Sequence, residues 1–340
     1  MSITSRIELL QALEQVKGAV AQKGFVPILT HVLVDKTYVL GYDSEIGVRV
    51  KLNTPLDCTF NIKSTTFLDL LKHLEDEDLD LSVDGAGKIL IKCGSHTSRT
   101  TQIQEEFPKP NVKVTASDWR ECPAGFKEAL ERCQVATSED ENNKALSAIQ
   151  VAGCYLYAFS GKKAVRCKLE GLDVAPFLLP RKAVAELVRL GNPKRIAVTN
   201  SLGVFDFGDM TFVARLRDGE SFPREQLDKL LNTRKATHPI PGGFIGALTR
   251  LALFTGDNQQ VSVQPGALGL RLHTTGDKSH AEELLAPWPD ALPFESKHLA
   301  VDLALPLLAY AEFMDWGGAR EPFYFSGEQV GFEAALAPAV

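Results

Sequence analysis

The chain repeats one order of predicted elements three times, and this repeat constrains the fold more than any single motif does. Three segments carry apolar residues at i, i+3, i+4 and i+7, the pattern of an amphipathic helix: Arg6–Val20, Ala124–Val135 and Gly243–Phe254. The first apolar anchors of these segments, Ile7, Phe126 and Phe244, lie 119 and 118 residues apart. The spacing predicts three copies of one structural unit.

A second helix and a hairpin follow each first helix in the same order. Just over 50 residues after each anchor, a short apolar strand runs into a second helix, from Phe60, from Phe177 and from Leu299 to Met314. Hairpin turns are then predicted at Asp84-Gly85, Ser201–Gly203 and Ser326-Gly327. Each copy is therefore expected to be α+β, with two helices and about eight short strands in mostly antiparallel sheets. The alternative is a chance match of helices in an unrelated α+β protein.

Length and turn-rich segments indicate where the copies meet. At 340 residues, 44% hydrophobic and 24% charged, the chain is longer than a typical single domain and can form several cores. Proline-rich and turn-rich linkers are predicted at Phe107–Ser117 and Gln226–Gly242. The expected domains are residues 1–112, 113–235 and 236–340.

Charge and hydropathy exclude several classes of protein. The net charge of −6 argues against a protein that coats DNA over its whole surface, although residues 113–235 carry 20 Lys and Arg against 16 Asp and Glu. No run approaches 18 apolar residues, and Arg6 and Glu8 interrupt the position of a signal peptide. A cytoplasmic location is expected.

The sequence offers no motif for catalysis, metal or cofactor binding. Its six cysteines are widely spaced, which predicts neither a zinc site nor a disulfide framework. The motifs GxxxxGK[ST], HExxH and GxSxG are absent. The acidic run Glu75–Asp80 could be read as a metal site, but a solvated helix end is the simpler interpretation. No cofactor is expected.

Several segments resemble the bacterial DNA polymerase III beta subunit family, the DNA sliding clamps. Val26–Leu29 followed by Gly41–Glu45 is similar to the family's LPIL…GTDLE signature, and Phe177–Leu190 is similar to its VPRK…EL junction. Thr211–Pro223 resembles the family's F…KLVDGRFP segment, and Glu106–Pro108 its DFP. The resemblance runs in order over nearly the whole chain. It implies a homodimeric ring of six similar domains, with helices lining a hole for duplex DNA and continuous sheet outside.

The resemblance implies that basic residues on the inner helices and nearby loops face DNA. Such helices lie across the grooves and reach phosphates but no base edges, so binding would be independent of sequence. By position, the DNA-binding candidates are Lys23, Lys72, His73, Lys127, Arg132, Arg181, Lys182 and Arg189. Arg181 and Lys182 fall on a matched motif, whereas an ordinary surface charge explains each of the others equally well. The third copy offers only Arg250 in its first helix.

The family also binds polymerases and clamp loaders through a short hydrophobic peptide, which enters a pocket between the second and third domains. The corresponding positions here are Leu146, Ser160, Gly161, Lys162, Lys163, Val165, Ala335, Leu336, Ala337, Pro338 and Ala339. The family's VVMPM methionines and the His-Arg of its TDGHRL are not kept. Smaller, less adaptable side chains predict a shallower pocket and a different partner specificity.

A second departure from the family lies where the two subunits of the ring are expected to meet. Thr97–Gln102 is polar at positions that the family fills with apolar residues. A dimer held there would depend more on strand pairing and on charge. One hypothesis is that Arg99 and Lys72 face the acidic third copy across this interface.

The favoured function is a processivity factor whose partners are double-stranded DNA, a DNA polymerase, a clamp loader and a second copy of the chain. The divergence of the pocket and the interface predicts a distant branch, such as a bacteriophage-encoded clamp. Two alternatives stay open at the level of sequence. One is an α+β enzyme with a motif-free active site, and the other is a clamp-like scaffold or regulator that does not support replication.

Overall fold

The computed structural model describes residues 2–23, 26–199, 201–218, 221–266, 268–276, 279–285, 296–316, 318 and 320–339. The chain divides into two compact units. Unit 1 comprises Met1–Cys122 and Arg189–Leu216, and unit 2 comprises Pro123–Val188 and Arg217–Val340.

The first repeat lies in unit 1 and forms two four-stranded groups. Its elements are β1 (Ser2–Ser5), α1 (Arg6–Val16), β2 (His31–Val34), β3 (Tyr38–Tyr42), β4 (Ile46–Lys51), β5 (Phe60–Lys63), α2 (Ser64–His73), β6 (Asp78–Val83), β7 (Lys88–Cys93) and β8 (His96–Thr101). The strand orders are β1-β6-β7-β8 and β5-β2-β3-β4. Ser5 caps α1, since its side chain accepts a hydrogen bond from the Glu8 backbone N–H. Helix α1 then buries Leu9, Leu13 and Val16.

The second repeat has the same strand order but contributes to both units. Its elements are β9 (Trp119–Glu121), α3 (Phe126–Gln134), β10 (Ala148–Ala152), β11 (Tyr155–Phe159), β12 (Lys163–Lys168), β13 (Phe177–Pro180), α4 (Arg181–Leu190), β14 (Arg195–Val198), β15 (Leu202–Asp206) and β16 (Met210–Arg215). The group β9-β14-β15-β16 lies in unit 1, and the group β13-β10-β11-β12 lies in unit 2. An additional helix, α5 (Arg224–Thr233), follows.

The third repeat lies in unit 2 and repeats the order again. Its elements are β17 (His238–Pro239), α6 (Phe244–Ala252), β18 (Gln260–Gly266), β19 (Gly269–Thr275), β20 (His280–Leu285), β21 (Lys297–Ala300), α7 (Val301–Leu308), β22 (Phe313–Trp316), β23 (Phe323–Gly327) and β24 (Phe332–Leu336). The groups are β17-β22-β23-β24 and β21-β18-β19-β20. Over the described residues, each repeat thus has eight strands.

Consecutive repeats are joined by pairing of their edge strands. At joint 1, in unit 1, β4 pairs antiparallel with β16, and Val50 lies opposite Met210. At joint 2, in unit 2, β12 pairs antiparallel with β24, and Lys163 lies opposite Leu336. Each joint produces one eight-stranded sheet and pairs backbone N–H and C=O groups that an edge would leave exposed. The strands at the equivalent positions, β8 and β20, end their sheets within the described part of the chain.

The predicted α+β class, the two core helices of each repeat and the eight strands per repeat are confirmed. The helix predicted over Arg6–Val20 ends at Val16 and continues as a 3₁₀ turn, Lys17–Ala19. The domain boundaries at residues 112 and 235 stay a prediction, because the two compact units divide the chain differently.

Three details of the sequence prediction are wrong. The second helix of repeat three ends at Leu308 and does not reach Met314, which lies in β22. Because β22 is the equivalent of β6, the hairpin at Ser326-Gly327 joins β23 to β24 and is the equivalent of β7–β8. The turn predicted at Ser201–Gly203 falls earlier, since Leu202 already pairs with Arg215. The linker predicted around Gln226–Gly242 begins within a helix, α5, that was not predicted. Of the segment Thr211–Pro223, residues 219–220 lie outside the described residues.

A close approach of helix and sheet in unit 1 gives a test of this packing. A β-carbon on Gly41 would lie 2.7 Å from the Val16 carbonyl oxygen and 3.1 Å from a Val20 methyl carbon. We expect Gly41→Ala to lower the free energy of unfolding by roughly 1–3 kcal/mol, because backbone atoms would have to move apart. Denaturant unfolding measures the change.

The matched control is Gly85→Ala in the β6–β7 turn, where an added β-carbon meets no heavy atom within 4 Å. This control should stay within about 0.5 kcal/mol of the unsubstituted chain. An equal loss in both variants would contradict the close packing of α1 on β3.

Candidate functional site

Four of the basic candidates lie in unit 1, and two of them, Lys72 and Arg189, form a cluster with Lys17 at the end of α1. Lys72 on α2 pairs with Glu14 at 2.8 Å, and Lys17 pairs with the same carboxylate at 2.5 Å. These hydrogen bonds lower the pKa of Glu14. Arg189 donates to the carbonyl oxygens of Glu14 and Gln15 at 3.1 and 2.5 Å, where the dipole of α1 favours a cation.

The other two unit 1 candidates are exposed. Lys23 follows the 3₁₀ turn after α1, and His73 ends α2 with its Nδ1 2.7 Å from the Asp69 carbonyl oxygen. Together with Lys72 and Arg189, they place positive charge on exposed side chains next to α1 and α2. Such an arrangement suits contacts with phosphates.

Three candidates lie in unit 2 near the starts of α3 and α4. Arg181 is 3.6 Å from Glu139, whose side chain is 89% exposed, and Lys127 is 3.4 Å from Glu131 one helical turn away. Lys182 is exposed. Ion pairs this accessible to water contribute only about 0–1 kcal/mol each, so these cations can exchange a carboxylate for a phosphate at small cost.

Arg132 does not lie among the accessible cations, which argues against its predicted contact with DNA. Its side chain is buried, with only 6% of the residue exposed. The guanidinium donates to the backbone oxygen of Gln329 and, at 2.6 Å, to its side-chain oxygen. It also lies 5.4 Å from the centre of the Tyr310 ring. Sequence reasoning missed this because the helical position of Arg132 does not reveal the turn at Gln329 that covers it.

The two halves of the predicted partner pocket are neighbours in the structure. Joint 2 sets Lys163 opposite Leu336 and Val165 opposite Ala334, and the Ala337 N–H donates to the Lys162 carbonyl oxygen at 2.9 Å. Ser160, Gly161, Lys162 and Lys163 are at least partly accessible, as are Ala337, Pro338 and Ala339. Leu146 is half-buried and donates its N–H to Asn143.

The apolar floor of that pocket is not accessible. Val165, Ala335 and Leu336 are each no more than 2% exposed. Ala164 and Ala335 belong to an apolar cluster that Leu227 and Leu231 of α5 complete. Helix α5 therefore covers the face of joint 2 where a docking peptide was predicted to lie. The spacing of Leu227, Leu230 and Leu231 is typical of an amphipathic helix, but the segment was predicted to be a linker, so the helix was not predicted.

A polar network fixes α5 on this face. The Arg166 guanidinium donates to Glu333 on the neighbouring strand at 2.7 Å and to Asp228 of α5 at 2.8 Å. It also donates to the side-chain oxygen of Asn232 at 2.9 Å. Because the Arg166 side chain is only 9% exposed, these charge-assisted bonds are shielded from water and hold the helix firmly.

An open cleft of about 840 Å³ adjoins the accessible part of the predicted pocket. Ser160, Lys162 and Lys163 line one side, and Glu131, Glu139, Asp140, Arg181, Asp302, Pro306 and Tyr310 are among its other residues. Burial lowers the pKa of Lys163. Most lining residues are polar or charged, so this cleft differs from the apolar pocket that a hydrophobic peptide requires.

Other kinds of site find little support among the described residues. No group of three or more His, Cys, Asp or Glu side chains there could hold a metal ion. All six cysteines are free thiols. No described helix has the length and apolar character needed to cross a membrane.

The placement of Arg132 leads to a prediction that separates stability from DNA binding. We expect Arg132→Ala to lower the free energy of unfolding by roughly 1–3 kcal/mol, because the charge-assisted hydrogen bonds of the buried Arg132 guanidinium to Gln329 are lost. Denaturant unfolding measures the change. Lys127→Ala on the same helix is the control and should stay within about 0.5 kcal/mol. Equal changes in both variants would argue against the buried role of Arg132.

Comparisons with known proteins agree with this fold. A family model described as "DNA polymerase III beta subunit, N-terminal domain" matches residues 1–112. The beta sliding clamp of Chlamydia muridarum is 23% identical over 80% of each chain, and that of Haemophilus influenzae is 27% identical over 64% of this chain and 65% of the relative.

Solved structures match over nearly the whole chain. A sliding clamp of Bartonella birtlesii superposes with a TM-score of 0.87 at 20% identity, covering 100% of this chain and 99% of that one. The polymerase beta subunit of Streptococcus pyogenes gives 0.86 at 15% identity, covering 99% and 98%.

Proposed function

We propose that the chain is a divergent member of the DNA polymerase III beta subunit family and acts as a DNA sliding clamp. In this role it encircles duplex DNA, slides without reading sequence and tethers a DNA polymerase, after a clamp loader has opened it. The chain performs no catalysis itself and acts in the cytoplasm. The proposal depends on the threefold repeat of one strand order, in which consecutive repeats pair twice through edge strands. The two edge strands left at the equivalent positions, β8 and β20, are of the kinds that pair at joints 1 and 2.

Two copies of the chain close the ring by repeating the joint. At joints 1 and 2, the last strand of one four-stranded group pairs with the last strand of the next repeat's group. The same rule pairs β20 of one copy with β8 of the other. Closed symmetry then removes both edges, which would otherwise invite aggregation. The domains of this ring are residues 1–112, 113–235 and 236–340.

Charge supports the pairing of β8 with β20. Arg99 on β8 is exposed, and β20 carries Glu282 and Glu283. Those carboxylates pair with Arg271 and Arg250 at 2.6 Å in the single chain. All of these cations are more than half exposed, so the pairs can rearrange when a second copy brings Arg99 close.

The accessible cations supply the contact with DNA. We infer that Lys23, Lys72, His73, Lys127, Arg181, Lys182 and Arg189 lie toward phosphates, whereas Arg132 does not. Contacts of this kind release counterions and weaken steeply with salt, and they leave the protein free to slide. Polymerase and loader are proposed to dock at Ser160–Lys163 and Ala337–Ala339, the part of the predicted pocket that α5 leaves accessible.

Retention on circular DNA tests the proposal directly. The protein is loaded on nicked circular plasmid with a bacterial clamp loader and ATP, and the complexes are isolated by gel filtration. Linearising the plasmid should release nearly all of the bound protein, because a ring can leave only over a free end. Uncut circles treated in parallel are the control and should keep it. Equal retention on cut and uncut plasmid would show adhesion and refute encirclement.

A further inference from the structure

Joints 1 and 2 carry the same aromatic and cationic pair at the same strand positions. At joint 2, Arg166 on β12 lies 5.4 Å from the centre of the Tyr155 ring on β11. At joint 1, Arg49 on β4 lies 5.7 Å from the Tyr38 ring on β3. The strand sequences IGVRVK and KAVRCK align these arginines. The two joints are thus copies of one surface.

The linker that follows each joint begins in the same way. Phe107-Pro108-Lys109 follows the first repeat and Phe222-Pro223-Arg224 the second, and both phenylalanines are buried. The Lys109 ammonium lies 6.0 Å from the Tyr38 ring, and the Arg224 guanidinium lies 5.4 Å from the Tyr157 ring. Both linkers therefore begin with a buried phenylalanine and a cation near a tyrosine ring of the preceding sheet, although the two tyrosines are not at equivalent positions.

Beyond this anchor the two linkers differ. The second continues as α5, whose Leu227 and Leu231 are buried on the joint 2 sheet and whose Asp228 binds Arg166. The first continues through Pro110 and forms no helix before residue 116. Proline lacks an N–H and restricts the residue before it, so Pro110 directly after Lys109 disfavours a helix from this anchor.

The face that α5 covers at joint 2 is consequently an open groove at joint 1. The groove has a volume of about 340 Å³ and is lined by Tyr38, Leu40, Gly47, Arg49, Lys109, Pro110, Val112, Thr211 and Val213. Arg49 is exposed and lies opposite Thr211, whereas Arg166 lies opposite Glu333. Neither Arg49 nor Lys109 has a carboxylate partner among the described residues.

We propose that the joint 1 groove is a docking site for an amphipathic helix of a partner protein that carries a carboxylate between two apolar side chains, the chemistry that α5 presents to joint 2. The two apolar side chains, one helical turn apart, pack against the accessible Tyr38, Pro110 and Val112 of the groove, and the carboxylate between them binds Arg49. Lys109 supplies a second cation at the rim. Apolar lining between the two cations favours such a helix over a nucleic acid, whose phosphates would gain nothing from it.

This groove is separate from the accessible pocket residues at joint 2 and does not depend on encirclement of DNA. Joint 2 indicates the chemistry of the expected partner, because α5 is the helix that binds the equivalent surface there. The exposed Arg49 and Lys109 also complement a carboxylate on the docking face of the helix, which favours correct orientation during binding.

Binding of a labelled peptide to the full-length protein tests the proposal. The probe is a capped fluorescent peptide with the sequence of residues 221–234, and fluorescence anisotropy measures its affinity. We expect a dissociation constant of roughly 10–300 µM, because a peptide this short must fold on binding. Arg49→Glu should weaken binding at least about tenfold, and the same protein should recover affinity for a peptide carrying Asp228→Lys.

Lys168→Glu makes the same charge change on β12 in unit 2 and should leave the affinity unaltered. Circular dichroism confirms that each variant is folded. The proposal is overturned if no binding is seen up to about 1 mM, or if Arg49→Glu binds the unaltered peptide as well as the original protein does. It is also overturned if Lys168→Glu alone abolishes binding, which would put the peptide at joint 2. A lower solution mass for Arg49→Glu would assign the groove to a second copy of the chain instead.

Discussion

Pairing between edge strands of successive repeats is the interaction on which this structure depends. Each repeat has two four-stranded groups, and neither can satisfy the backbone groups of its edges alone. Joints 1 and 2 meet that requirement within the chain. The two strands at the positions equivalent to the joint strands, β8 and β20, end their sheets in the first and third repeats. We propose that a second copy of the chain continues the pattern there. Assembly then follows from the same hydrogen bonding that builds the fold.

Joints 1 and 2 are similar surfaces that the following linkers cover to different extents. Tyr38 and Arg49 correspond to Tyr155 and Arg166, and both joints begin with a buried phenylalanine of the following linker. What differs is the next stretch of chain. A helix with leucines and Asp228 covers the second joint, and a proline-containing segment leaves the first partly open. The accessibility of each joint therefore depends on the linker that follows it as much as on the sheet.

The sequence predicted the repeat because helical periodicity and strand–helix junctions are local signals. The helices that begin near Arg6, Phe126 and Phe244 and the junction at Phe177 formed where expected. Met314 was assigned to a helix because apolar residues continue past Pro306, and periodicity alone cannot separate a short buried strand from the end of a helix. Only the pairing of β22 with β23 decides it.

The site was less predictable, since burial depends on distant segments. Arg132 looked like a surface cation on an amphipathic helix, but Gln329, 197 residues later, covers it. Ala335 and Leu336 were expected to floor an open pocket, and their position beside β12 was correct. Both residues are buried, however, and α5, which covers Ala335, comes from a segment whose prolines and glycines indicated a linker.

Closure of two chains through β8 and β20 is tested most directly by light scattering of the full chain. We expect twice the chain mass of 37.2 kDa at micromolar concentration. We expect a single-chain mass for Thr97→Pro, because the register of the β7–β8 hairpin points the Thr97 N–H away from β7, and proline removes this donor from the outer edge. A single-chain mass for the unaltered protein, or an unaltered dimer in the proline variant, would contradict this closure.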